Sequence, residues 1–166
     1  MERPRIKIRL TALDYIIEVF SILAVLCAIL LYIIYWIKAP EVVPIHYNIY
    51  GEVDSYGSKI TLLFLPIITI IFYIGLTILN KYPHIFNFPT TITEQNALSL
   101  YRISTRMIRW LKLLFCLLFT YNIWHEVRII ITNQAPKLDS IFWLFIAAII
   151  ICPIFPIVKM IKSSKK

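Results

Sequence analysis

Three stretches of this chain run without a charged residue for long enough to cross a bilayer: 19–37, 60–79 and 140–158, of 19, 20 and 19 residues. A helix spanning about 30 Å of hydrocarbon needs roughly 20 mostly apolar residues. The rest of the composition agrees. Of 166 residues, 60% are hydrophobic and 16% charged, against about 45–50% and about 25% in soluble domains. The expected fold class is an all-α integral membrane protein, built as one membrane domain over residues 1–166. No repeat or low-complexity tract is present. Cys27, Cys116 and Cys152 each lie inside an apolar run, offer no CxxC pair, and read as small buried hydrophobes.

A fourth span is less obvious, because only 12 residues, 113–124, separate Lys112 from His125. Arg109 and Lys112 can snorkel toward headgroups at one end, and Trp110 and Trp124 sit where aromatic belts belong. Charge supplies the second argument. With four spans, thirteen Lys and Arg residues fall on one side and four on the other. The thirteen are Arg3, Arg5, Lys7 and Arg9 in the arm; Lys81, Arg102, Arg106, Arg109 and Lys112 in the middle; and Lys159, Lys162, Lys165 and Lys166 in the tail. Lys38, Lys59, Arg128 and Lys137 are the four. Positive charge favours the cytoplasm, so both termini are expected inside a bacterial cytoplasmic membrane. The spans are placed at about 16–37, 60–79, 110–131 and 140–158, in a four-helix transmembrane bundle. The outer loops are 38–59 and 132–139, and the inner loop is 80–109. The net charge of +8 is then a matter of sidedness, and no nucleic-acid partner is expected. The first span, too long for an ordinary h-region and followed by no small-x-small site, reads as an uncleaved signal anchor. At its edge Asp14 and Glu18 are spaced i, i+4. They pair with Arg9 or Lys7 at the interface or, on a sharper reading, form a proton or cation relay.

The first outer loop is the most specific stretch. Gly51 and Gly57 lie seven positions apart counting both ends, in a chain with 3 glycines, which points to positive-φ turns or a close backbone approach. Residues 45–50 have the aromatic and β-branched content of a short strand, and Pro44 keeps Val43 extended. His46 and Asn48 then share one face, with Tyr47 on the other. Gly51 turns the chain, Asp54 acts as an Asx-turn residue leading into Gly57, and Lys59 sits at the mouth of the second span. Three uses are open. The loop is a scaffold pinned by its own turns, a recognition surface, or a metal site drawn from His46, Asp54, Glu52 and His125 or Glu126. No HExxH-type spacing supports the last, so neither a metal nor a cofactor is expected.

The pattern Pro44-x-His46-Tyr47-Asn48-x-x-Gly51-x-x-Asp54-x-x-Gly57-x-Lys59, followed by an apolar span containing Pro66, resembles a bacterial membrane family of unknown function. The domain of that family also forms the N-terminal part of Sdp-type immunity proteins, which protect cells against a toxic secreted peptide. The resemblance covers roughly the first half of the chain. It implies a membrane location, marks Pro44, His46, Asn48, Gly51, Asp54, Gly57 and Lys59 as motif positions, and brings no catalytic role. Beyond residue 79 the chain has two further spans and no counterpart to the immunity proteins' C-terminal half. Residues 92–97, with Tyr101-Arg102 and Thr105-Arg106, resemble short members of the same family.

In the inner loop, Tyr82-Pro83 and Phe88-Pro89 read as extended segments along the headgroups. Thr91 and Glu94 fit a capping box. From there Leu98, Tyr101, Thr105 and Ile108 fall on one face of an interfacial helix, continuous with or kinked into the third span, beside a basic stripe of Arg102, Arg106 and Arg109 that would contact anionic lipid rather than a protein partner. His84 lies on the opposite side from His46, so the three histidines do not form one site. No nucleophile–base constellation, phosphate loop or paired carboxylate stands out within the spans. The function expected is non-enzymatic: sensing of, or immunity to, an extracellular peptide or envelope ligand through residues 44–59. The alternatives are a metal-dependent membrane enzyme using His46 and Asp54, and a small transporter that would need to form a homo-oligomer.

Overall fold

The computed structural model describes residues 3–48, 52–132 and 140–163. Four helical segments in it are long and apolar enough to cross a membrane. Helix α1 is Ala12–Lys38, α2 is Phe64–Leu79, and α3 is the continuous 36-residue helix Ala97–Thr132. The fourth segment consists of α4, Ser140–Ile151, and α5, Ile154–Ser163, with a break at Cys152 and Pro153. Between α1 and α2 stands a two-stranded antiparallel hairpin of β1, Val42–Tyr47, and β2, Val53–Ser58. The expected all-α membrane bundle is therefore the observed fold, with one small sheet at one end.

Small residues and polar contacts set the packing. The buried positions of α1 are Asp14, Ile17, Ser21, Ala24, Ala28 and Tyr35, a three-and-four spacing that faces α3. Ser21, Ala24 and Ala28 let the two backbones approach, as membrane helices require when lipid is as apolar as the core. At the contact, Thr120 Oγ1 of α3 lies 2.9 Å from the Ala24 carbonyl. Phe72 of α2 packs on Phe115 and Phe119 of α3, with ring centroids 4.8 and 5.5 Å apart. The outward faces remain apolar, with Leu30, Leu144 and Phe155 among the exposed residues. Cys27 is exposed on this face, Cys152 half-buried and Cys116 buried, so the expectation of three buried cysteines holds fully for Cys116 alone.

Prolines sit where helices tolerate them. Pro66 occupies the first turn of α2, where its missing N–H has no intrahelical partner to lose. A 3₁₀ turn, Lys59–Leu63, leads into that helix, so the uncharged run 60–79 starts before its α-helical part.

Two ends of the bundle differ. At one, the hairpin's Val43 enters a core cluster with Tyr35, Ala39, Ile123 and Val127. At the other lie the N-terminal arm, the segment between α2 and α3, and α5. There Arg3 Nη1 donates to the carbonyls of His84 and Phe86 at 3.1 and 2.5 Å, and Phe88 stacks near Tyr101. The cap of α3 differs from expectation. Thr93 and Asn96 exchange the reciprocal bonds, Asn96 Oδ1 accepting from Thr93 N–H at 2.8 Å and Thr93 Oγ1 from Asn96 N–H at 3.3 Å. Asn96 thus supplies the acceptor expected of Glu94, and the helix starts later.

Candidate functional site

The hairpin assembles the motif. Val42 opposes Ser58, Val43 opposes Gly57, and Pro44 opposes Tyr56; irregular register then brings His46 opposite Ser55 and Tyr47 opposite Val53. A bulge at this point is natural, since Pro44 has no N–H to give the ladder. His46 Nδ1 lies 2.6 Å from Asp54 Oδ1, with the two side chains 69% and 41% exposed. An ionised carboxylate only accepts, so Nδ1 carries the proton in this contact. Next along the ribbon, Asn48 Nδ2 donates to Glu52 Oε2 and the Glu52 N–H donates to Asn48 Oδ1, both at 3.0 Å. His46 and Asn48 thus each take a carboxylate from the returning chain. Asp54 lies in β2 and its side chain meets His46 across the hairpin, where an Asx turn was expected. Gly51 lies outside the described residues.

Gly57 and Lys59 anchor the hairpin. A Cβ on Gly57 would come within 2.8 Å of Ile45 Cδ1 and 3.2 Å of its Cγ2, so the glycine serves close approach between strands. Lys59 is 14% exposed, 3.0 Å from Glu41 Oε1, and its ammonium sits 4.7 Å from the Trp36 ring centroid. Its backbone N–H also reaches the Glu41 carbonyl. That latch ties the base of the hairpin to the end of α1, leaving the His46–Asp54 pair on the outside.

A second polar cluster joins the helices at the opposite end. Asp14 is 2% exposed and caps its own helix through the Thr11 N–H at 2.8 Å. Arg106 grips the same carboxylate with two prongs, Nε to Oδ1 at 2.8 Å and Nη2 to Oδ2 at 3.1 Å, the planar geometry that guanidinium favours. One turn farther along α1 and nearly two along α3, Lys112 Nζ donates to Glu18 Oε2 at 2.5 Å and to Thr77 Oγ1 of α2 at 2.8 Å. It also lies 4.8 Å from the Tyr73 ring centroid. Between these pairs Arg109 Nε is 3.2 Å from Glu18 Oε1, a charge contact without hydrogen-bond alignment. Two acids and three bases, with Lys112 fully buried, therefore knit α1, α2 and α3.

Sequence reasoning missed this cluster. Asp14 and Glu18 take partners from α3, rather than Arg9 or Lys7. Arg109 and Lys112 turn inward instead of snorkelling. The basic stripe is divided, with Arg102 exposed, Arg106 gripping Asp14, and Arg109 buried. Leu98 is exposed, while Ala97, Leu100, Tyr101, Ser104 and Thr105 form the buried face. A signal was present: acids at i, i+4 on one helix edge, and Arg106, Arg109 and Lys112 at successive three-residue steps on another.

The hairpin offers limited chemistry. An exposed imidazole–carboxylate pair can bind a polar ligand or give one metal bond. Among the described residues no three His, Cys, Asp or Glu side chains gather as a metal site. Glu52 is joined to Asn48, and His125 sits by Tyr121 and Trp124 on α3.

Fold and site together define an all-α integral membrane protein that carries an anchored, polar β-hairpin between its first two spans. Residues 22–70, which run from within α1 across the hairpin into α2, match the family described as "Domain of unknown function (DUF1648)". An uncharacterized protein of the archaeon Archaeoglobus fulgidus is 29% identical over 129 residues, covering 71% of this chain and 70% of its own. No solved structure matches the chain.

Proposed function

We propose that this chain is a non-enzymatic multipass protein of a prokaryotic cytoplasmic membrane, and that its hairpin recognises a peptide or envelope ligand on the outer side. The observation that carries this reading is the exposed His46–Asp54 pair on a ribbon whose base is locked to α1 by Lys59. Rigid anchoring lowers the ordering cost of binding, and exposed polar groups give a ligand something to pair with. The division of basic residues between the two ends supports placing the hairpin outside and both termini inside. Immunity to a toxic secreted peptide is the specific form of this reading that the motif's resemblance implies.

The test separates recognition from scaffolding. A surface ion pair of this exposure contributes little stability, typically about 0–1 kcal/mol. His46→Ala and Asp54→Ala should therefore keep folded yield and melting temperature in mild detergent. They should abolish protection of cells against an externally added membrane-active peptide, or the phenotype that deletion of the protein reveals. Stable variants with full activity would overturn the proposal. Elemental analysis decides the metal alternative: stoichiometric zinc lost on His46→Ala would favour it over simple recognition.

A further inference from the structure

At the end opposite the hairpin, the first turns of α3 and the outer face of α5 enclose a half-open groove of about 560 Å³. Its walls are ordered by depth in the same direction on both helices. On α3, exposed Arg102 precedes Met107 and Trp110, eight residues and about 12 Å farther along the axis. On α5, Phe155 precedes Lys159 by about one turn, the chain there running out of the apolar segment. Both walls thus place a cation farther out than Met107, Trp110 and Phe155, with Gln95, Leu98 and Ser99 continuing the α3 wall beyond Arg102. No Asp or Glu lines the groove. Among the described residues, neither Arg102 nor Lys159 has an ion-pair partner, whereas Arg106 in the same wall is committed to Asp14.

We propose that this groove is a binding site for one anionic phospholipid, with Arg102 and Lys159 holding the phosphate and Met107, Trp110 and Phe155 lining an acyl chain. Two cations facing one opening demand an anion, and the apolar walls below demand that the anion carry a tail. A phospholipid of the surrounding leaflet meets both demands. Arg102 supplies a fork of donors suited to phosphate, and Lys159 a point charge from the other side. The site uses one residue of the basic stripe and adds one from the fourth span, so it is more selective than a general attraction of that surface for acidic lipid.

The experiment compares lipid retained by purified protein after exchange into mild detergent containing phosphatidylglycerol or phosphatidylcholine, read by native mass spectrometry. Wild type should retain one phosphatidylglycerol in preference to phosphatidylcholine. The pair Arg102→Gln and Lys159→Gln should lower that retention about tenfold or more. The charge-keeping pair Arg102→Lys and Lys159→Arg should preserve most of it. Arg9→Gln with Lys81→Gln removes the same charge from the same end outside the groove, and should leave retention unchanged. Helical circular dichroism with size exclusion confirms that each variant is folded. Undiminished retention in the groove pair would overturn the site, and equal loss in the control pair would show diffuse charge attraction instead. Displacement of the lipid by millimolar inorganic phosphate would assign the cations to a free anion and overturn the lipid.

Discussion

Gly57 shows how one atom shapes the hairpin. Its strand partner is Val43, which is buried against α1 and α3, and Ile45 closes over it from the same strand. An added methyl meets the end of the Ile45 side chain at 2.8 Å and a second, less movable carbon at 3.2 Å. Gly57→Ala should lower stability by about 1–2 kcal/mol, the usual cost of modest overpacking. The same substitution in an Ile45→Ala background should cost much less, because the obstructing carbons are gone. Denaturation midpoints of the four variants measure this, and an equal penalty in both backgrounds would remove the steric explanation. Glycine scarcity pointed to a positive-φ turn or a close approach, and at Gly57 it is the close approach. Which atom approaches depends on the strand register, and the Pro44 bulge makes that register irregular.

The helices share their stability through charge at one end and small residues in the middle. Lys112 is the keystone, since it touches Glu18 of α1 and Thr77 of α2 from α3. Removing one member of a buried pair leaves the other uncompensated, at about 3–5 kcal/mol. Lys112→Met should show a loss toward the lower end of that range in reversible unfolding from detergent, because Arg109 still faces Glu18. Glu18→Met together with Lys112→Met should lose less than the sum of the two single losses, because the contact between them is lost only once. Strictly additive losses would mean that the two residues do not act as a pair. At this scale the sequence announced its apolar runs well, because lipid imposes a length on every span. The inner-loop helix, expected to be continuous with or kinked into the third span, is continuous with it. The span expected at 110–131 lies within the helix Ala97–Thr132, whose first part follows the packing of Tyr101 and Thr105 rather than a lipid requirement. The pairing of Asp14 with Arg106, 92 positions away, was hidden. Periodicity shows which side chains share a face, and not which helix that face will meet.

For the whole molecule, the up-and-down order of the spans separates two polar surfaces. The hairpin stands at the junction of α1 and α2, while the arm, the start of α3 and the end of α5 gather at the other end. The motif residues from Pro44 to Lys59 could be placed together from sequence because they are contiguous. The groove between α3 and α5 could not, because Arg102 and Lys159 are brought together by the return of the fourth span. Everything proposed for the hairpin requires that it face outward. Single cysteines at Ser55 in β2 and at exposed Glu94 before α3, each in a variant lacking Cys27, Cys116 and Cys152, measure this directly. Glu94 is exposed, so a cysteine there is open to the reagent. With a membrane-impermeant thiol reagent on intact cells, Ser55→Cys should be labelled, and Glu94→Cys should be labelled only after lysis. Labelling of Glu94→Cys in intact cells, with Ser55→Cys protected until lysis, would turn the molecule over and contradict outer-surface recognition.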